Sequence, residues 1–122
     1  GASMVLTMSV HGSPLAHPRN ILFGHIFSAL AGVLISSIFG FSALSLGLAV
    51  GLAVYIMMVT NTVHPPAGAN PIIVILGEKG IGFVIMPVAV GALFIIFFAI
   101  SYNRFLKRKY FTLADWREVI EL

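Results

Sequence analysis

The residues able to do chemistry gather at one break. Thr62-Val63-His64-Pro65-Pro66-Ala67-Gly68-Ala69-Asn70 interrupts a chain that is apolar on both sides. The His64 ring can donate a hydrogen bond to an anion or titrate near neutral pH. It can equally satisfy a carbonyl left without a donor, because Pro65 and Pro66 carry no N–H groups. Asn61, Thr62 and Asn70 can hold a polar solute, or cap broken helix ends as short polar side chains do. Proline is tolerated at the first helical positions. Asn61 to Pro65 therefore reads as an extended descent, and Ala67-Gly68-Ala69 as the start of a helix. Free N–H groups and a positive dipole end at that start favour an anion or a polar solute. The predicted substrate-binding set is His64, Pro65, Pro66, Ala67, Gly68, Ala69, Asn70, Asn61 and Thr62, joined by His25 and Ser3. Gly68 is expected to keep side chains off the solute.

His25 lies inside an apolar run, where an ionisable residue usually faces the protein interior or a cavity; an interfacial imidazole is the competing reading. His11 and His17 are expected at the interface. Arg19 either draws anions to the mouth or anchors a helix end. No metal is expected, although the chain has four histidines. No carboxylate or thiolate joins them in the apolar region, and metal sites need about three or more convergent ligands. No cofactor is implied.

The elements that must position these residues follow from composition. Hydrophobic residues make up 59% and charged residues 9%, against about 45–50% and about 25% in soluble domains. This is the balance of a membrane protein, with one domain over residues 1–122. There is no cysteine, hence no disulfide and no Cys-based zinc site. Four of the basic residues, Arg104, Lys107, Arg108 and Lys109, cluster after the last apolar run. They fit a membrane flank rather than a nucleic-acid surface.

The apolar runs predict an all-α membrane fold with three full spans: Ile21 to Phe39, Phe41 to Thr60 and Ile81 to Tyr102. Ala2 to Val10 and the stretch after the break are too short to cross, giving one or two half-helices. As a helix, Ala67 to Gly77 reaches ~16 Å, about half of the ~30 Å hydrocarbon core. A re-entrant path is therefore expected, dipping to the midplane and returning to the face it left. It puts the basic cluster on the face of Gly40, taken as cytoplasmic. A path that completes the crossing would instead put that cluster with Arg19. Gly47 and Gly51 offer a close-packing face or are ordinary span composition, and a homo-oligomer is expected. Residues 103–122 read as a basic segment and an amphipathic surface helix. Short run, polar turn and full span occur twice, opening at Gly1-Ala2-Ser3 and at Gly68-Ala69-Asn70, a weak internal repeat of the kind transporters show.

Thr62-Val63-His64-Pro65-Pro66-Ala67-Gly68-Ala69 resembles the signature of the HPP family of integral membrane proteins. Ser13-Pro14-Leu15-Ala16-His17-Pro18-Arg19-Asn20 with Gly24-His25 is similar to its second block, where Gln usually stands at the place of His17. The resemblance implies a further helix before Gly1, in a bacterial inner membrane or a plastid membrane. Plant plastid members are associated with nitrite transport. The expectation is thus a transporter or channel for a small anion, nitrite-like, working in the bilayer without nucleic acid. A membrane subunit docking a partner through its C-terminal tail is the alternative. An intramembrane enzyme is the third reading and is not favoured. Gly1-Ala2-Ser3 with His25 or His64 resembles the Gly-x-Ser and His pair of rhomboid-type proteases, but no acid within the spans orients the histidine.

Overall fold

The computed structural model describes residues 1–111, and their regular structure is all helical. The order is α1 (Ala2–Ser9), a short turn (Pro14–Ala16), α2 (Pro18–Phe39), α3 (Ala43–Val59), α4 (Pro65–Leu76) and α5 (Ile81–Phe105). The amphipathic helix expected around Trp116 lies outside the described residues.

Local chemistry sets the ends. Pro18 opens α2, where its missing N–H costs nothing, and the His17 side chain accepts from the Arg19 N–H at 3.1 Å. His17 is therefore a buried cap at the start of α2. Gly40 ends α2 at φ +64°, a conformation that glycine adopts without a Cβ clash. Ser42 and Ser45 form a reciprocal cap on α3. Asn61, at φ +53°, ends it. Residues 65–69 of α4 are a tight 3₁₀ turn, and Asn70–Leu76 is α-helical. In α5, Met86 takes extended φ/ψ (−131°, 117°) before Pro87, so the helix is kinked within Val84–Ala89, where Pro87 has no N–H for the ladder.

Two helices, α2 with 22 residues and α5 with 25, are long and apolar enough to cross a membrane. At ~1.5 Å per residue α2 reaches ~33 Å, and the regular part of α5, Val90–Phe105, ~24 Å beyond a kink at Met86. With 17 residues, α3 reaches ~25 Å, at the short limit for a span. Polarity is inverted relative to a soluble domain. Ser3, Thr7, Asn20, Ser28, His64, Asn70 and Asn103 are buried, while Leu44, Leu48, Phe94, Phe97, Phe98 and Phe105 are exposed. An apolar exterior is what lipid demands, and the buried polar groups must find partners inside.

α2 is central and touches α3, α4 and α5. Ile35 clusters with Ala49 and Ile75, and Ala29 with Val74 and Val84. The contacts also set directions. Arg19, near the start of α2, donates to the Thr60 and Asn61 carbonyls at the end of α3. Asn70 meets His25 and Ser28, Pro71 and Val74 crowd Gly32, and Ile75 packs near Ile35. So α4 runs parallel to α2, towards Gly40. α5 then returns: Asn103 donates to the Thr7 carbonyl, Arg108 to that of Met8 and Tyr110 to that of Ala16.

These contacts follow the alternative path, the one that completes a crossing. The break and α4 together continue from the Arg19 end to the Gly40 end of α2, because tight packing against Gly32 pulls the short helix onward. The basic cluster consequently joins Arg19 and not Gly40. The doubled pattern is present and inverted. α1 starts beside His25 and leads to the Arg19 end, whereas α4 starts beside His25 and leads to the Gly40 end. Each is followed by a long helix running back.

Candidate functional site

The third residue of each small triplet binds one nitrogen of the same imidazole. Ser3 Oγ lies 3.1 Å from His25 Nε2, and Asn70 Nδ2 lies 2.8 Å from His25 Nδ1. Ser3 Oγ is also 2.8 Å from His64 Nε2, and His64 Nδ1 is 2.8 Å from the Leu15 carbonyl. Proton positions follow from the two ends. Asn70 Nδ2 also donates to the His25 carbonyl at 3.1 Å, which identifies its amide nitrogen. His25 Nδ1 therefore accepts, and His25 Nε2–H donates to Ser3. At the far end a carbonyl can only accept, so His64 Nδ1–H donates to Leu15. His64 Nε2 is then an acceptor and receives the Ser3 hydroxyl proton. One directed chain results, Asn70 to His25 to Ser3 to His64 to Leu15, complete with both imidazoles neutral. Ser28 extends it by accepting from Asn70 and donating to the His25 carbonyl, each at 3.1 Å.

Close backbone approach makes this possible. A Cβ on Gly24 would lie 2.9 Å from both His64 Cβ and the Thr62 carbonyl oxygen, and one on Gly32 would lie 2.8 Å from Pro71 Cα. Gly24, Ser28 and Gly32 recur every four residues, a small-residue face onto which the break and α4 press.

A cavity of about 220 Å³ opens beside the chain, lined by His25, Asn70 and, from α5, Phe83, Pro87, Val88, Gly91, Ala92 and Ile95. Since one water occupies ~30 Å³ in the liquid, this space suits a small ion with a few waters. His25 and Asn70 form its polar wall. The kinked segment of α5 around Pro87 shapes the opposite wall, leaving it apolar.

The remaining predicted residues separate. His64 is fully buried; it holds the Leu15 carbonyl, not one freed by Pro65 or Pro66, and does not line the cavity. Thr62 Oγ1 pairs with Thr60 Oγ1 at 2.7 Å. Asn61 is exposed and offers its carbonyl to Arg19, so Arg19 is occupied as a clamp on the end of α3. Pro65, Pro66, Ala67 and Ala69 shape the turn and do not line the cavity. A Cβ at Gly68 would meet nothing within 4 Å, whereas one at Gly24 or Gly32 would lie under 3.0 Å from backbone atoms. Ser28, the Leu15 carbonyl and the α5 wall were not foreseen. The four-residue spacing of Gly24, Ser28 and Gly32 was the available signal for Ser28. Among the described residues no cluster of metal-binding side chains occurs.

The family model described as HPP, transmembrane region, matches residues 1–111. Two proteins of Dictyostelium discoideum, both named as transmembrane proteins, are 34% and 33% identical over 94% of this chain. The chain spans 43% and 40% of their lengths. No solved structure matches.

Proposed function

The chain belongs to the HPP transmembrane family, and from that premise we propose that it carries a small, nitrite-like anion across a membrane past His25 and Asn70. The observation that carries this reading is the cavity of about 220 Å³, apolar except for one imidazole and one amide. Its wall has no fixed charge to trap an ion. The two Asn70 amide hydrogens are shared among three acceptors, His25 Nδ1, the His25 carbonyl and Ser28 Oγ, so an arriving anion gains a donor by displacing one of them. α1 and α4 approach His25 from opposite directions, through Ser3 and Asn70. Inverted halves meeting at mid-depth are how many transporters place their sites.

Transport is favoured over hydrolysis. Ser3 and His64 are as close as a nucleophile and its base, but Ser3 is only 4% exposed and does not line the cavity. Purified protein in liposomes should pass nitrite faster than chloride or glycerol, with nitrate as the second comparison. Flux equal to that of empty liposomes for every solute would remove the transport reading and leave the subunit reading.

The membrane path proposed here has α2, α3 and α5 as crossing helices and the break with α4 as a fourth, interrupted crossing. Arg19, Arg104, Lys107, Arg108 and Lys109 then share one face, opposite Glu78 and Lys79. The positive-inside tendency makes that face cytoplasmic or its organelle equivalent. The chain has no cysteine, so single cysteines report cleanly. Labels at Gly40 and Lys107 should react from opposite sides of sealed vesicles. Reaction from the same side would restore the re-entrant path.

A further inference from the structure

A second cavity, of about 540 Å³, lies where α5 ends, lined by Ile100, Arg104, Lys107, Arg108, Lys109, Tyr110 and Phe111. We infer that this pocket holds the headgroup of an anionic phospholipid. The inference is independent of the solute proposed at His25.

The pocket is built by fixed contacts. Arg108 donates to the Met8 carbonyl at 2.7 Å and lies 5.8 Å from the centre of the Tyr102 ring. The Tyr110 hydroxyl donates to the Ala16 carbonyl at 2.7 Å, and burial pushes its pKa up, so it remains a donor. These bonds pin residues 108–110 against α1 and the start of α2. Arg104, Lys107 and Lys109 are exposed. The one carboxylate among the described residues, Glu78, precedes α5, at the other end of that helix. Three cations thus face one space with no counter-charge among the described residues.

The apolar part distinguishes a lipid from a free anion. Phe97, Ile100 and Arg104 follow at helical spacing, so one face of α5 passes from apolar to basic. Phe97 is 64% and Ile100 43% exposed, and an acyl chain can lie along that face while its phosphate meets Arg104. Position agrees, because Lys107, Arg108 and Lys109 directly follow the last apolar turns of α5, where basic flanks meet headgroups. Basic juxtamembrane clusters recognise anionic lipids at about 1 kcal/mol per charge.

Native mass spectrometry of the full chain in mixed micelles tests this. Phosphatidylglycerol should be retained in preference to phosphatidylcholine, and the preference should fall as salt rises. Arg104→Gln, Lys107→Gln and Lys109→Gln together should weaken retention on the order of a hundredfold, while Lys79→Gln, at the far turn, leaves it unchanged. Equal retention of the two lipids by the unaltered chain overturns the proposal, and this arm needs no variant to fold. Undiminished retention in a folded triple variant also overturns it. Displacement of bound phosphatidylglycerol by inorganic phosphate at matching concentration assigns the pocket to a free anion, against the lipid.

Discussion

Exchanging His25 for alanine is expected to cut anion flux per folded molecule about a hundredfold. His25 is the wall residue that both short helices bind, through Ser3 at 3.1 Å and Asn70 at 2.8 Å. Its loss removes the imidazole from the cavity wall and the bridge between the two short helices, while Ser3 keeps His64 and Asn70 keeps the residue-25 carbonyl and Ser28. A hydrogen bond to a charged group contributes ~1.5–3 kcal/mol, and ~2.8 kcal/mol corresponds to a hundredfold. His64→Ala should behave differently. That ring bonds to Ser3 and to the Leu15 carbonyl and stands apart from the cavity. Its removal should lower thermal stability by several degrees and leave flux per folded molecule within about threefold, the destabilisation being ~1–3 kcal/mol. Melting temperature and liposome flux measured together separate the two roles. Full flux in His25→Ala, or a hundredfold loss in stable His64→Ala, would reverse the assignment.

The second large effect is steric. Gly32→Val should destabilise the fold, because its Cβ would lie 2.8 Å from Pro71 Cα and 3.0 Å from Val74 Cβ. The first of these is backbone and cannot rotate away. Overpacking costs ~1–3 kcal/mol, and backbone contact places Gly32 at the upper end. Gly47→Leu is the contrast. A Cβ there meets nothing within 4 Å, and the surrounding face, with Leu44, Leu48 and Tyr55, is exposed. We propose that a second copy of the chain covers this face. Gly47→Leu should then preserve the helix content and melting of the protomer while lowering the particle mass in detergent, corrected for bound detergent. A particle that is monomeric before any substitution removes the homo-oligomer, and equal melting of Gly32→Val and the unaltered chain removes the packing argument.

These two glycine sites show where reading the chain stops. Gly24, Ser28 and Gly32 share the spacing of Gly47 and Gly51, and spacing alone does not tell which face meets another helix. The outcome depends on what α4 brings opposite each, and Pro71 and Val74 come to Gly32. Gly68, inside the signature, is the converse case: its neighbours in sequence drew attention to it, yet its surroundings are open.

What acts along the chain was legible without the fold. Prolines without N–H groups locate the break at 64–66, and apolar length locates α2 and α5. The scarcity of charge demands a membrane, and the two small triplets announce a doubled pattern. What acts across the chain was decided only in three dimensions. The direction of α4, and with it the face that carries the basic cluster, rests on the contacts of α4 with Ser28, Gly32 and Ile35. The bridging role of His25 rests on Ser3 and Asn70 arriving from opposite sides, and the partner of His64 is a carbonyl 49 positions away. Hydrogen bonds and close packing depend on distances of a few tenths of an ångström between segments remote in sequence. No local propensity encodes such distances, so the same residues could have bound solute, capped helices or held one another, and packing around α2 selected among these.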